Sequence, residues 1–291
     1  MNSVVSLNFL YKPKSYKPLE IVRAENWINF FTDQGMHVIG TAPIKHVEDL
    51  KDIKPKNPKF FTLLPVMSFD TCDRWRVGLW TVKEKFKSAD YFLLWSADFL
   101  SAEESKDSEQ AALDLINHEG KEDLAIGTIE ASGMKEAIDQ YATYPLLQNW
   151  FPEEFELMMQ MGFLKPRSEL LRLSRSFLEG SLKKRWYPSE QTIHLILQCL
   201  WSLKLWNNLK QEERFTIKAL QLAKIPDDPS ARDNLNVVQQ VDRMELWLKY
   251  IWRDKFRRWF LPDYVSKSQK STEIVKNAYK EFEKIINATI F

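Results

Sequence analysis

Glycine is scarce in this chain, with 8 among 291 residues, so loops that approach a phosphate closely through bare backbone are few. Neither a Gly-x-x-x-x-Gly-Lys-[Ser/Thr] loop nor a Gly-x-Gly-x-x-Gly turn occurs, which argues against P-loop and Rossmann dehydrogenase chemistry. Cysteine is almost absent. Cys72 and Cys199 make neither a zinc cluster nor a disulfide framework, and both are expected as reduced thiols in or near the core of a cytoplasmic protein. No sign of charge dominates, since 41 Lys and Arg against 40 Asp and Glu leave a net +1, so no nucleic-acid partner is expected. No apolar run has the length of a membrane span, and "MNSVVSLNFLYKPK" lacks the pattern of a secretory signal, which predicts a chain in the cytosol or on the face of a membrane. His37, His46, His118 and His194 have no metal-ligand spacing, and no Gly-x-Ser-x-Gly elbow appears.

What is present is a chain with 44% hydrophobic and 28% charged residues, long enough for one large or two modest cores. Up to about Gly133, short apolar runs alternate with helical stretches. Residues 4–10 are β-rich; Leu19, Val22, Trp27, Phe30 and Phe31 then recur near helical spacing and stop at Gly35, a C-cap residue. Strands are predicted at 36–40, 60–66, 91–95 and 124–129, with helices at about 72–86 and 103–118 and a Lys/Pro-rich linker at 51–59. Strands alternating with helices predict an α/β fold, a mostly parallel sheet covered by helices on both faces. From 135 onward no strand alternation is read, and helices at 188–209, 242–260 and 272–290 predict a largely helical C-terminal region.

In such a sheet, ligands sit beyond the carboxyl ends of the strands, where Tyr11, residues 68–73 and Asp98 fall. The strand Tyr91-Phe92-Leu93-Leu94-Trp95 breaks off at Asp98. A carboxylate there is costly unless hydrated, paired or holding a metal, and a divalent cation on it would bridge to diphosphate oxygens. The alternative is capping: Asp98 or Ser101 accepts backbone N–H bonds from the following helix.

"DRWRVGLWTVKEKFKSADYFLLWSADFL" resembles the segment of GT-A glycosyltransferases, especially family 2 and its dolichyl-phosphate-mannose synthase-like members, in which a basic Gly-containing helix precedes a hydrophobic strand ending in Asp-x-Asp. In that resemblance Arg74, Arg76 and Gly78 occupy the basic helix and Ser96-Ala97-Asp98 the acidic motif. Ser96 stands where the family has its first acid. "VVSLNFLYKP" looks like the first GT-A strand and its nucleobase loop, which holds Tyr11, and Asp70 or Asp73 sits where the family often has a nucleoside-contacting acid. "GTIEASGMKEAIDQYATYPLLQNWFP" is loosely similar to the region after the acidic motif. The resemblance covers about the first half. It implies a nucleotide-sugar-binding domain at 1–140, an acceptor-side helical region at 141–291, a nucleoside diphosphate sugar donor and Mg²⁺ or Mn²⁺ on Asp98. A glycosyltransferase moving a sugar to an acceptor hydroxyl is the expectation; the alternatives are a catalytically inactive binding or regulatory relative and a peripheral membrane interaction protein.

Three further stretches carry chemistry. Arg167, Arg172, Arg175 and Arg185 have the forked donors that clamp a diphosphate, or they lie on the solvated face of a helix whose apolar side is Leu170, Leu171, Leu173 and Phe177. Glu190 is a candidate acceptor contact or base, or a first-turn acid of the helix beginning near Pro188; Glu169 has the same acceptor-side chemistry. Trp247, Trp252, Trp259 and Phe260 among Lys249, Arg253, Lys255, Arg257 and Arg258 suit either a membrane interface, giving a peripheral contact through 242–260, or a core helix.

Overall fold

A computed structural model of the chain describes residues 3–8, 18–67, 71–97, 99–128, 134–162, 170–183, 191–222, 235–255 and 261–289. Strands are β1 Ser3–Asn8, β2 His37–Pro43, β3 Phe61–Val66, β4 Tyr91–Ser96, β5 Leu124–Thr128, β6 Leu171–Ser174 and β7 Ile217–Gln221. Helices are α1 Pro18–Asp33, α2 Thr71–Lys85, α3 Lys106–Ile116, α4 Met134–Ile138, α5 Tyr144–Trp150, α6 Pro152–Gln160, α7 Arg175–Leu182, α8 Gln191–Lys204, α9 Leu235–Lys255 and α10 Leu261–Thr289. Chain contacts divide into two compact units, Met1–Ile129 with Pro166–Asp228, and Glu130–Lys165 with Pro229–Phe291.

The first unit is a seven-stranded sheet in the order β3-β2-β1-β4-β6-β5-β7. Neighbours pair in parallel except around β6, which runs antiparallel to both β4 and β5. The expected mostly parallel sheet with helices is therefore present. The region from 135 onward is largely helical as expected, and it also supplies two strands not read from the sequence, β6 and β7, which complete the sheet. Alternating side chains send Val5, Val38, Leu93 and Trp95 to one face, against Ala24, Trp27, Ile28 and Phe31 of α1 and Ala111, Ala112 and Leu115 of α3. On the other face α2 lies over β1 and β2 and packs on α7.

The α1 stripe differs from its sequence reading in one respect. Val22 is 53% exposed, and the buried position beside it belongs to Arg23. Gly35 ends α1 at φ +74°, a left-handed conformation that a Cβ would strain, and its N–H bonds Thr32 O. The Lys/Pro-rich linker is tied down along α1: Lys54 N donates to Glu25, Lys56 N to Asn29 and Asn57 Nδ2 to Asp33.

The second unit is helical. On α9, Val241, Met244, Leu248, Ile251 and Trp252 are buried; on α10, Val275, Ala278 and Phe282 are. Trp150 of α5 meets Trp252 at 5.8 Å and Tyr264 at 5.8 Å, and its indole N–H donates to Ser271 Oγ. Trp252 is thus core, not the membrane-facing aromatic that the sequence reading allowed; Trp259, Phe260, Arg257 and Arg258 lie outside the described residues. Among the described residues no helix is long and apolar enough to cross a membrane.

Candidate functional site

Six of the seven strands point the same way, so their carboxyl ends share one edge. The chain steps from β1 to β2 and β3 on one side, while β4 lies on the other side of β1. This reversal between β1 and β4 is where an open parallel sheet leaves a crevice. Asn8 and Ser96, the last residues of the two strands, are in register there. Ser96 is fully buried and Ala97 6% exposed.

The strand end is held by its hydrophobic neighbours and then by charge. Trp95 packs on Trp27 at 4.7 Å and on Phe31 and Phe99, both at 5.5 Å. Trp27 Nε1 donates to Phe99 O at 3.0 Å. Asn26 Nδ2 reaches Glu103 at 3.0 Å. Arg23, 3% exposed, forks onto Glu104 through Nε at 2.8 Å and Nη2 at 2.7 Å. Glu104 also accepts from Ser101 N at 2.7 Å and Ser101 Oγ at 2.8 Å. The Arg23 hydrogen bonds, helped by those of Ser101, hold the Glu104 carboxyl below its ordinary value against the opposing effect of burial. The chain leaving β4 is therefore fixed to α1 on both sides of position 98.

α3 is capped by Ser105, whose hydroxyl accepts from Ser108 N at 3.3 Å. The cap reading is corrected for Ser101, since α3 is capped by Ser105 instead. Asp98, Asp70, Tyr11, Glu190, Glu169, Arg167 and Arg185 lie outside the described residues. Of the expected site residues on α2, Asp73 is exposed in the first turn, where its charge complements the helix dipole. Arg74 is fully buried. Arg76 is exposed, with Nη2 3.5 Å from Leu182 O. Among the described residues no group of three or more His, Cys, Asp or Glu could hold a metal ion.

Arg172 and Arg175 are elsewhere. Arg172 is on strand β6, 1% exposed, with its guanidinium 3.4 Å over the Tyr91 ring and bonded to Gly120 O at 3.0 Å. Arg175 donates to Ala89 O and Phe86 O. Both gather at the amino end of β4, about 16 Å of strand away from Ser96. For Arg172 neither the clamp nor the solvated-helix reading holds, because it is buried on a strand against Tyr91 and Gly120 O; Arg175 opens α7 half-buried and also pairs with Glu179 at 3.4 Å. An open depression of about 390 Å³ at this edge is lined by Asp90, Tyr91, Glu119, Lys121, Ser174, Arg175 and Ser176. Two carboxylates balance its two cations.

The Arg23–Glu104 clamp went unread in the sequence. Its partners are 81 residues apart, and the one available signal was a charge on the apolar stripe of α1.

No family model matches the chain, and no curated protein matches it. Among solved structures it is similar to glucosyl-3-phosphoglycerate synthase from Mycobacterium tuberculosis in complex with Mg²⁺ and uridine diphosphate, at a TM-score of 0.49 and 13% identity over 83% of this chain and 78% of that one. A mycobacterial protein is similar at a TM-score of 0.48 and 11% identity, over 83% and 73% of the two chains. At these values the likeness assigns neither residues nor a ligand to this chain.

Proposed function

We propose that the protein transfers a sugar from a nucleoside diphosphate sugar to an acceptor hydroxyl at the carboxyl edge of its sheet. The observation that carries the proposal is the β1–β4 reversal, with the strand that ends at Ser96 continuing into Asp98 and α2 bringing Asp73, Arg74 and Arg76 to its own first two turns. In this reading Asp98 and Ser96 face the diphosphate, Arg76 the phosphates with Arg74 behind it, Asp70 or Asp73 and Tyr11 the nucleoside, and Glu190 the acceptor. Rate enhancement would come from stabilising the leaving diphosphate and from positioning the acceptor.

Mg²⁺ or Mn²⁺ belongs to the proposal with Asp98 as its ligand, where it would neutralise charge on the departing nucleotide. Among the described residues no group of three or more candidate ligands completes such a site.

One observation favours a second reading, donor binding without turnover: Ser96 replaces an acid in the motif and is fully buried. A thermal-shift screen against UDP-, GDP-, ADP- and dTDP-sugars, each with Mn²⁺, Mg²⁺ or EDTA, followed by a turnover assay, separates the two. A donor at a hundredfold excess over its Kd stabilises the fold by about 2.7 kcal/mol. A shift with turnover supports transfer, and a shift without turnover at any metal concentration supports binding alone. Arg76→Ala and Asp98→Ala variants that fold normally yet keep full donor binding and turnover would sink the site assignment.

A further inference from the structure

The connection from β4 to α3 is heavily bonded for its length. It includes a turn in which Glu104 N and Ser105 N both donate to Ser101 O, at 2.9 and 3.0 Å. Ser101 is fully buried, and its hydroxyl accepts from Asn26 Nδ2 at 3.4 Å while donating to Glu104 Oε2 at 2.8 Å. The Glu104 carboxylate is met by Arg23 Nη2 on one oxygen and by Arg23 Nε, Ser101 N and Ser101 Oγ on the other. A carboxylate offers about four lone-pair sites, and these donors are all internal. Glu104 therefore acts on a neighbouring site through the chain that it holds, not by touching a ligand.

For adhesion alone an ion pair is a poor choice. Taking the Arg23 guanidinium out of water offsets much of its attraction to Glu104, and apolar side chains of similar size hold such surfaces about as well. What the two-pronged contact adds is direction, because parallel N–H bonds onto a carboxylate fix both the distance and the angle between α1 and the turn. The same stretch is held nearer β4 as well, where Phe99 packs on Trp95 and its carbonyl accepts from the Trp27 indole. Asp98 is the residue before Phe99.

We propose that Arg23 and Glu104 are positioning residues for the sugar-nucleotide donor, their fork setting where the chain carries Asp98 relative to the β1–β4 crevice. This rests on the transfer reading, in which Asp98 faces the diphosphate, and it gives neither residue a contact with the ligand. A displacement of about 1 Å at a ligand-facing group is enough to lower a rate about a hundredfold.

The test uses the full chain and a variant that separates position from stability. Arg23→Met with Glu104→Gln removes both charges together and leaves an oxygen to accept from Ser101 N, so no lone ion stays buried and melting should remain close to that of wild type. The probe is whichever of the UDP-, GDP-, ADP- and dTDP-sugars raises wild-type melting most, with its Kd measured by calorimetry well below the transition. The double variant is expected to bind it about tenfold more weakly and to lose about a hundredfold in kcat/KM. Glu122→Gln, an ion-pair variant at the amino edge, should change neither. In an Asp98→Ala background the double substitution should cause no further loss, because the group it positions is gone. Arg23→Lys keeps the charge without the fork; it should fall between, and it carries the comparison where the double variant does not fold. Wild type that binds none of the four nucleotide sugars sinks the transfer reading and this inference with it. Binding that Asp98→Ala weakens and the clamp variants leave intact overturns this inference alone. An equal loss with and without Asp98 also overturns it, since the clamp would then act on the fold at large.

Discussion

The two edges of the sheet treat their polar side chains differently. At the amino edge of β4 a group of side chains around Asp123, Arg172 and Arg175 is bonded internally. Asp123 receives Ser174 Oγ at 2.7 Å, Ser176 Oγ at 3.0 Å, Thr216 N at 2.9 Å and Thr216 Oγ1 at 3.1 Å, tying β6 and α7 to the approach to β7. Arg172 and Arg175 are taken up by Tyr91 and by backbone carbonyls. At the carboxyl edge Arg23 and Glu104 clamp the chain that leaves β4, while on α2 Asp73 and Arg76 are exposed, Arg76 donating to Leu182 O. A cluster rich in charge can thus be wholly structural. At the amino edge the donors of that cluster are already satisfied, and the two edges differ in how exposed their charged side chains are.

Asp123→Ala should break the amino edge most severely. It removes the acceptor of four hydrogen bonds, and a loss of about 3 kcal/mol is expected in denaturant unfolding. Asp123→Asn keeps one acceptor oxygen and should lose about half of that. Donor affinity measured well below the melting transition should be unchanged, because the damage sits at the far ends of the strands. A variant that unfolded no more easily than wild type would mean that these bonds contribute little, and the contrast between the edges would fall.

Glu104→Gln tests the clamp. Arg23 stays buried and loses its charged partner, whose side chain is 29% exposed, so the expected cost is about 2 kcal/mol, below that of a fully buried pair. The pH dependence has a definite sign. The Glu104 carboxyl titrates below its ordinary 4.5 in the folded state, so its stabilisation is complete above 4.5 and is lost as pH falls through the lower folded value. Wild type should therefore lose stability in acid more steeply than Glu104→Gln. Parallel acid-melting curves for the two would contradict the clamp.

The same contrast explains what could be read in advance. β4 announced itself as a five-residue apolar run, and Gly35 marked the end of α1, because burial and backbone freedom are properties of adjacent residues. β6 did not. Leu170, Leu173 and Phe177 fit helical spacing as well as strand, and only pairing with β4 and β5 fixes the four residues as a strand. β7 is likewise a short strand defined by its partner β5. The place of the candidate site was legible from strand ends. Its support was not, since Arg23 and Glu104 meet across 81 positions, and Arg172 was read as a ligand-facing or solvated group before the fold put Tyr91 under it.

The smallest effect should come from Glu122→Gln, which sharpens the comparison by offering an ion pair of similar composition with a less buried cation. Glu122 lies 2.9 Å from His118 Nε2 and 3.6 Å from Lys218 Nζ. Burial pushes its carboxyl up, but its own backbone N–H, His118 and Lys218 together bring it below the ordinary value. The Lys218 side chain is 52% exposed, whereas that of Arg23 is 4% exposed. When the acid is removed, water can solvate Lys218 as it cannot solvate Arg23. The expected loss is about 0.5 kcal/mol in denaturant unfolding at neutral pH, and it should shrink further in high salt. If Glu122→Gln proved as costly as Glu104→Gln, burial of the abandoned cation would not be what sets the cost, and the clamp at the carboxyl edge would have no special claim to hold the chain on either side of Asp98.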